Sequence, residues 1–450
     1  MNTALIILAA GMGTRMNSDI PKVLHPLAGV PLLHHAMAAG ATLAPERTIV
    51  VAGHGAAQVA RAAQGYDPET ILAEQTEQLG TAHAVAAAGD ALDGFSGTAI
   101  VLYGDTPFIT PETLEKMIQA GAQHDVVVLG FHAADPGRYG RLILDGDQLT
   151  RITEYKDATP QERAITLCNS GVIACPAPLL MSLIKSVGND NAAKEYYLTD
   201  IIEIARAKGH SAGVVICDEA ETLGVNSRAQ LAQAEATFQQ GARANAMADG
   251  VTLLAPDTVY FAYDTVIGRD SVIEPHVVFG PDVTIESGAT IRAFSHLEGC
   301  HVARGSTIGP YARLRPGTEL AEDVRIGNFV EIKNATIGSG AKVNHLSYIG
   351  DATIGNDSNI GAGTITCNYD GVMKHHTHIG RDVFIGSNTM LVAPVQIGDG
   401  AMTGSGSVIT SDVEPDALAL SRAPQIEKPG MARRLMDKLR AAKTRQQRGS

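Results

Sequence analysis

The chain has 450 residues, 45% hydrophobic and 18% charged, which excludes a disordered chain and leaves room for two or three domains. Glycine is abundant at 47 residues, aromatics make up only 4% and tryptophan is absent, yet no Gly-x-y period runs through the sequence, so collagen is excluded too. A net charge of −13 excludes broad electrostatic capture of nucleic acid, although residues 422–450 carry nine Lys/Arg against two Asp/Glu and read as a solvated, partly helical basic tail. Cys168, Cys175, Cys217, Cys300 and Cys367 are scattered without CxxC or zinc spacing, which predicts free thiols in a reducing cytoplasm. The apolar run at 4–10 is too short to span a bilayer and lacks a basic flank, so membrane insertion is not expected.

Up to about residue 225 apolar runs alternate with helical stretches. Residues 4–10, 48–52, 98–103 and 125–131 read as strands. Between them, Thr110, Pro111 and Glu112 open a helix over 110–120 as N-cap, first helical residue and first-turn acid. Continuous apolar strands separated by helices predict a parallel sheet covered on both faces. Asp145-Gly146, between 142–144 and 149–152, marks an inserted hairpin. Residues 228–248 place Leu231, Ala234, Phe238 and Ala242 at helical spacing and read as a linking helix.

After about 262 the period becomes six. Aliphatic or related residues fall at Ile267, Ile273, Phe279, Ile285, Ile291 and Leu297, then, one slip later, at Val302, Ile308, Leu314, Leu320, Ile326 and Ile332. Further slips give Ile337, Val343, Ile349, Ile354 and Ile360, and an excursion of about 18 residues precedes Ile379, Ile385, Leu391 and Ile397. Each unit supplies a short strand and a corner, and three units make a coil. Stacked coils then bury a core that no coil could bury alone. This grammar predicts a parallel β-helix of triangular section.

The string Leu8-Ala9-Ala10-Gly11-Met12-Gly13-Thr14-Arg15-Met16, followed by Pro21-Lys22, closes the first strand. Met16 replaces the third glycine of a dinucleotide fingerprint, and no GK[ST] follows, so neither a Rossmann dinucleotide loop nor a Walker loop is present. A glycine-rich turn at a strand end still offers N–H groups to phosphate, and Arg15 and Lys22 add cations. Read alone, Asp105 suits a turn before Pro107 and Asn226 a helix cap. With the strings at 21–25, 77–84, 102–107, 139–141, 169–171, 195–201 and 224–226, the first half resembles the sugar-1-phosphate nucleotidyltransferases. With the hexapeptide half attached, the whole chain is similar to the bifunctional N-acetylglucosamine-1-phosphate uridyltransferase/glucosamine-1-phosphate N-acetyltransferases.

That resemblance implies a Rossmann-like α/β uridyltransferase domain over 1–227, a helical linker over 228–248 and a left-handed parallel β-helix acetyltransferase domain over 249–450. It implies that Leu8, Ala9, Ala10, Gly11, Lys22, Gln75, Gly80 and Thr81 contact the uridine nucleotide. Tyr103, Gly104, Gly140, Glu154 and Asn169 are implied for the sugar, and Asp105 and Asn226 for Mg²⁺. Arg15 and Lys22 would neutralise charge in uridylyl transfer from UTP.

In the second half, Arg315 and Lys333 are 18 residues apart, so they fall on equivalent positions of successive coils about 5 Å apart. Two such cations call for an anion between them, and a sugar phosphate is one. The resemblance implies Arg315, Lys333, Tyr348 and Asn359 for the amino-sugar phosphate and His345 as general base, a role suited to imidazole. It implies Ala362, Asn368, Tyr369, Ser387, Ser405 and Arg422 for acetyl-CoA, with Ser405 departing from the Ala of the family pattern. His375, His376 and His378 read as a solvated loop, since the family needs no metal there. The implied assembly is a cytoplasmic homotrimer making UDP-N-acetylglucosamine for cell-wall and lipopolysaccharide precursors. The alternative is a nucleotidyltransferase whose β-helix only assembles.

Overall fold

A computed structural model describes residues 2–448, so the last two residues of the basic tail lie outside the described part. The chain divides into two compact units, Met1–Asn245 with Tyr260–Thr265, and Ala246–Val259 with Val266–Ser450. Among the described residues no helix is long and apolar enough to cross a membrane.

In the first unit the strands are β1 (Thr3–Ala9), β2 (Arg47–Ala52), β3 (Ile71–Glu74), β4 (Thr98–Tyr103), β5 (Val126–His132), β6 (Arg141–Asp145), β7 (Gln148–Thr153), β8 (Leu167–Pro176) and β9 (Ala212–Cys217). Their order across the sheet is β9-β5-β8-β4-β1-β2-β3, with the β6–β7 hairpin joined to β8. All seven residues of β1 are buried. Alternate side chains feed the two faces: Ala4, Ile6 and Leu8 join one cluster, and Leu5, Ile7 and Ala9 the other.

The sheet is not wholly parallel as expected. β8 runs antiparallel to both β4 and β5, with an irregular register between Asn169 and Ile173. The reversal follows from the inserted hairpin, because the chain returns from β7 through only the four-residue helix Pro160–Arg163, too short to serve as a crossover. The helix Pro111–Ala120 is capped as expected, Thr110 accepting from the Thr113 N–H at 3.3 Å. Helix Arg228–Ala248 buries Ala234 and Gln239, and Gln239 exchanges hydrogen bonds of 2.7 and 2.8 Å with the backbone of Phe261.

The second unit is a left-handed parallel β-helix. Its core is the expected aliphatic column set, with Ile291, Leu297, Ile308, Leu314, Ile332, Val343, Ile349 and Ile385 fully buried. One face is a sheet of ten strands, and the other two faces interlink as a second sheet. The interlinking has a local cause. Five residues, not six, separate Ile332 from Ile337 and Ile349 from Ile354, so Glu331–Ile337 and Tyr348–Ile354 run through the corner as continuous strands.

The excursion after Ile360 is shorter than the periodicity implied. Strand Ile365–Cys367 continues the stack with Thr366 pointing inward, and pairing resumes at Thr377. The repeat was masked because a threonine holds an aliphatic position; its hydroxyl is satisfied by the Gly350 N–H at 2.8 Å and the Gly350 carbonyl at 3.0 Å.

On the corner between the ten-stranded face and the next, His276, Phe294, Tyr311 and Phe329 stack with ring centroids 4.8, 4.9 and 5.3 Å apart. All four have left-handed backbone, φ between 55° and 61°, and the three aromatic residues Phe294, Tyr311 and Phe329 are about half exposed. Leu346, the residue after His345, extends this ladder.

Candidate active sites

The first site opens at the carboxyl edge of the α/β sheet, where β1 and β4 end. A cavity of about 420 Å³ is lined by Leu8, Ala9, Ala10, Gly11, Lys22, Gln75, Gly80, Thr81, Tyr103, Asp105 and Asn226, all expected from the sequence. Gly13 is required for shape: φ is 61°, and a Cβ there would lie 2.7 Å from Lys22 Cβ. Gly80 lets the chain pass Tyr196, whose carbonyl oxygen would be 2.5 Å from a Cβ.

Lys22 donates to Asp105 Oδ2 and, at 2.9 Å, to Asn226 Oδ1. These two oxygens converge because the Val225 N–H bonds the Asp105 carbonyl at 2.9 Å, while the Asn226 N–H bonds Gln230 at 2.9 Å. Gly104 lies beneath, its N–H on the Leu8 carbonyl at 3.0 Å. Arg15 is exposed on the loop and does not line the cavity. Four lining residues were missed from the sequence, Val23, Gln78, Ala84 and Glu195. Gln78 donates to the Ala10 carbonyl at 2.8 Å, and all four lie within the strings 21–25, 77–84 and 195–201.

Beside the cavity, Gly140, Glu154 and Asn169 form a second group. The Asn169 N–H bonds the Gly140 carbonyl at 2.9 Å, and a Cβ on Gly140 would lie 3.5 Å from Glu154 Oε1. Burial raises the Glu154 carboxyl, against a hydrogen bond from Thr199 at 3.1 Å that lowers it. Burial, then the charges of Glu154 and Asp105, raise the Tyr103 phenol, which lies between the two groups and bonds Thr81. Burial and Glu154 push Asp200 up to about 6. Arg141, fully buried, donates to the carbonyls of Gly137 and Arg163 at 3.1 Å and so fixes the Gly140 turn.

The β-helix residues fall into two columns. His345 ends strand Lys342–His345 on the ten-stranded face. The Gly363 N–H bonds the His345 carbonyl at 3.2 Å, the Asn388 N–H that of Ala362 at 2.7 Å, and the Gly406 N–H that of Ser387 at 2.8 Å. His345, Ala362, Ser387 and Ser405 are therefore successive rungs, and Arg422 donates to the Ser405 carbonyl at 2.7 Å. Asn359, paired with Lys342, stands on the same face. Asn328, which the sequence reading missed, accepts from His345 Nδ1 at 2.8 Å. That bond leaves the Nε2 lone pair free to take a proton. Arg292, Arg325, Asn344 and His345 share a cleft of about 460 Å³ on this side.

The second column occupies the adjoining face. Register places Arg313 opposite Glu331 and Leu314 opposite Ile332, so Arg315 does stack over Lys333. Part of the charge compensation is internal, since Arg315 donates to Glu331 at 2.7 Å, which raises its pKa. Tyr348 follows Glu331 in register. Lys374, brought in by the loop and absent from the sequence reading, lies beside Lys333, and together with Arg315 it lowers the Lys333 pKa. At the next corner Asp351 accepts from Asn334 at 2.6 Å and from Asn368, binding three coils. Tyr369 bonds the Gly371 carbonyl at 2.6 Å. His375 pairs with Asp370 at 2.7 Å, and His376 bonds Thr353 at 2.9 Å. Among the described residues no group of three or more His, Cys, Asp or Glu could hold a metal ion.

Residues 5–166 match the MobA-like NTP transferase domain, residues 264–299 and 376–411 the bacterial transferase hexapeptide (six repeats), and 297–392 the GMPPB C-terminal domain. Full-length relatives named Bifunctional protein GlmU include that of Roseobacter denitrificans, 71% identical over 100% of both chains. The Jannaschia sp. protein of that name is 63% identical over 98% of this chain and 97% of its own. That of Cereibacter sphaeroides is 66% identical over 99% and 98%.

Proposed function

The chain belongs to the GlmU family of bifunctional proteins, and from that premise we propose how its two halves divide the chemistry. One activity acetylates glucosamine 1-phosphate with acetyl-CoA. The other transfers uridylyl from UTP to N-acetylglucosamine 1-phosphate, giving UDP-N-acetylglucosamine and pyrophosphate for cell-wall synthesis.

Uridylyl transfer belongs to the N-terminal cavity. Leu8 to Gly11, Gln75, Gly80 and Thr81 take the nucleotide, while Tyr103, Gly104, Gly140, Glu154 and Asn169 take the sugar. Asp105 and Asn226 suit Mg²⁺: they offer one anionic and one neutral oxygen, already converging on a cationic group, the Lys22 ammonium. When bound, the metal neutralises phosphate charge. Lys22 and Arg15 bring positive charge to the triphosphate, and the glycine loop offers its N–H groups. The attacking sugar-phosphate oxygen is itself anionic, so the protein need supply no base for in-line displacement at the α-phosphorus.

Acetyl transfer belongs to the β-helix, where His345 Nε2 takes the amine proton as the nitrogen attacks the thioester carbonyl and the CoA thiolate departs. Arg315, Lys333, Tyr348 and Asn359 hold the sugar phosphate, with Lys374 beside Lys333 as a further cation. Ala362, Asn368, Tyr369, Ser387, Ser405 and Arg422 hold acetyl-CoA. The observation that carries this half is the division into two columns on adjoining faces that point away from each other. A complete site then combines one face from each of two chains, in a homotrimer. The exposed ladder from His276 to Phe329, next to His345, offers apolar surface for that contact. Five free cysteines suit a cytoplasmic setting.

The test has two arms. Incubation with glucosamine 1-phosphate, acetyl-CoA, UTP and Mg²⁺ yields UDP-N-acetylglucosamine by mass only when all four are present. Co-expressed His345→Ala and Lys333→Ala chains regain acetyl transfer that neither has alone. Failure to regain it, or a monomer by light scattering with full acetyl activity, removes the shared site.

A further inference from the structure

Beyond Arg422, which reaches the Ser405 rung, the basic C-terminus ends in an ordered helix. Met431–Arg448 is one α-helix, about 27 Å long at 1.5 Å per residue. Every residue from 421 to 447 is exposed, so the helix packs on nothing in its own chain. Its side chains are sorted. Met431, Leu435, Leu439 and Ala442 follow one another at helical spacing along a single stripe, flanked by Ala432 and Met436. Arg433, Arg434, Lys438, Arg440 and Arg445 occupy the flanks and the opposite side, Lys443 falls at the edge of the stripe between Ala432 and Met436, and Asp437 is the sole acid between 431 and 447, 4.0 Å from Arg440. Residues 421–430, with Pro424, Pro429 and Gly430, form no helix or strand and leave a tether of up to about 30 Å.

We infer that this helix is a peripheral docking element for an anionic lipid surface, lying in the interface with its apolar stripe down and its cations among the headgroups. Two features select that occupant. The stripe is apolar, and a nucleic-acid backbone would leave it uncovered. Six cations against one anion between 431 and 447 would set like charges side by side if two copies of the helix paired. An anionic membrane surface satisfies both halves of the pattern at once. Nothing spans the bilayer in this mode, and a protein carrying several such helices would bind through all of them.

The test is co-sedimentation of the full-length protein with vesicles of phosphatidylcholine alone or mixed with phosphatidylglycerol, at low and high salt. The expected result is at least ~10-fold more protein pelleted with the anionic vesicles, most of it released near 1 M salt, where the Debye length is ~3 Å. Leu435→Asp with Leu439→Asp removes the apolar stripe, and Arg433→Gln with Arg434→Gln thins the charge. Each is expected to abolish or sharply reduce pelleting while both enzyme activities and the oligomeric mass stay at parental values. Equal pelleting with both vesicle types, or none, overturns the proposal. So does a changed oligomeric mass in the leucine variant, which would make the occupant a second copy. A raised KM for acetyl-CoA in either variant reassigns the helix to the acetyl site. RNA binding that survives the leucine changes, without vesicle binding, reassigns it to nucleic acid.

Discussion

Asp105 and Asn226 are 121 positions apart and meet at one ammonium, whereas His345 and Ala362 are 17 apart and never converge on a common point. In the α/β unit the loops do the assembling. Two strand ends, a glycine turn and the stretch before helix Arg228–Ala248 fold inward over one cavity, so a single chain closes the site. In the β-helix the coils do the assembling. Each places its residue one rung from the last, producing columns on outer faces, and only the loop that carries Lys374 folds back over one of them. On the proposed reading one half gains its site by folding, and the other by association.

That contrast is broken most directly at the proposed base. His345→Ala is expected to slow acetyl transfer by about 10²–10⁴-fold and leave uridylyl transfer from supplied N-acetylglucosamine 1-phosphate unchanged. Acetyl transfer at the parental rate in a folded variant would falsify the assignment. Asp105→Ala, at the mirror position, should cost uridylyl transfer about 10²–10³-fold, since it leaves Lys22 and Asn226 without the anionic oxygen. Acetyl transfer should hold, and equal loss of both rates would mean the halves are coupled.

The comparison is sharpened by residues that touch no substrate. Asn328→Ala removes the acceptor that fixes the His345 proton on Nδ1, and a roughly ten-fold drop in acetyl kcat with little change in KM is expected. A KM effect alone would make Asn328 a binding residue instead. The smallest effect lies at Asp200. Its carboxyl is pushed up from 3.8 to about 6, so the folded state favours the protonated form and loses that advantage as pH rises through about 6. Asp200→Asn should therefore raise Tm by a few degrees at pH 8 and by nothing near pH 4, the half-exposed site keeping the gain near about 1 kcal/mol. A gain that grew toward low pH would contradict the sign.

The repeat of six was legible from its aliphatic phase, as was helix 228–248 from its spacing, because burial writes both patterns directly into side-chain type. The cavity-lining strings were legible as a resemblance. The direction of β8 was not, because an apolar run reads alike in either sense and only its partners decide. Nor were Asn328 and Lys374. Asn328 reaches His345 through a side-chain bond across one coil, and Lys374 reaches Lys333 only because a loop folds back, and neither leaves a period in the sequence. The Arg315–Lys333 stack followed from counting; the acid that answers it, Glu331, lies two residues from Lys333 and was hidden in plain alternation.

The coil length also sets how the two halves reach their folds. Ile291 pairs with Ile308, Leu314 with Ile332, Met402 with Leu418 and Ile360 with Ile385, so the β-helix forms by closing loops of 16 to 18 residues, and of 25 only at the excursion. It can zip outward from any seeded coil, each step repeating the last. β1 instead pairs Thr3 with Thr98, across 95 residues, and must wait for that closure. One polypeptide thus carries a fast zipper behind a slow ring closure, and in refolding the column of His345 is expected to form before the cavity of Lys22.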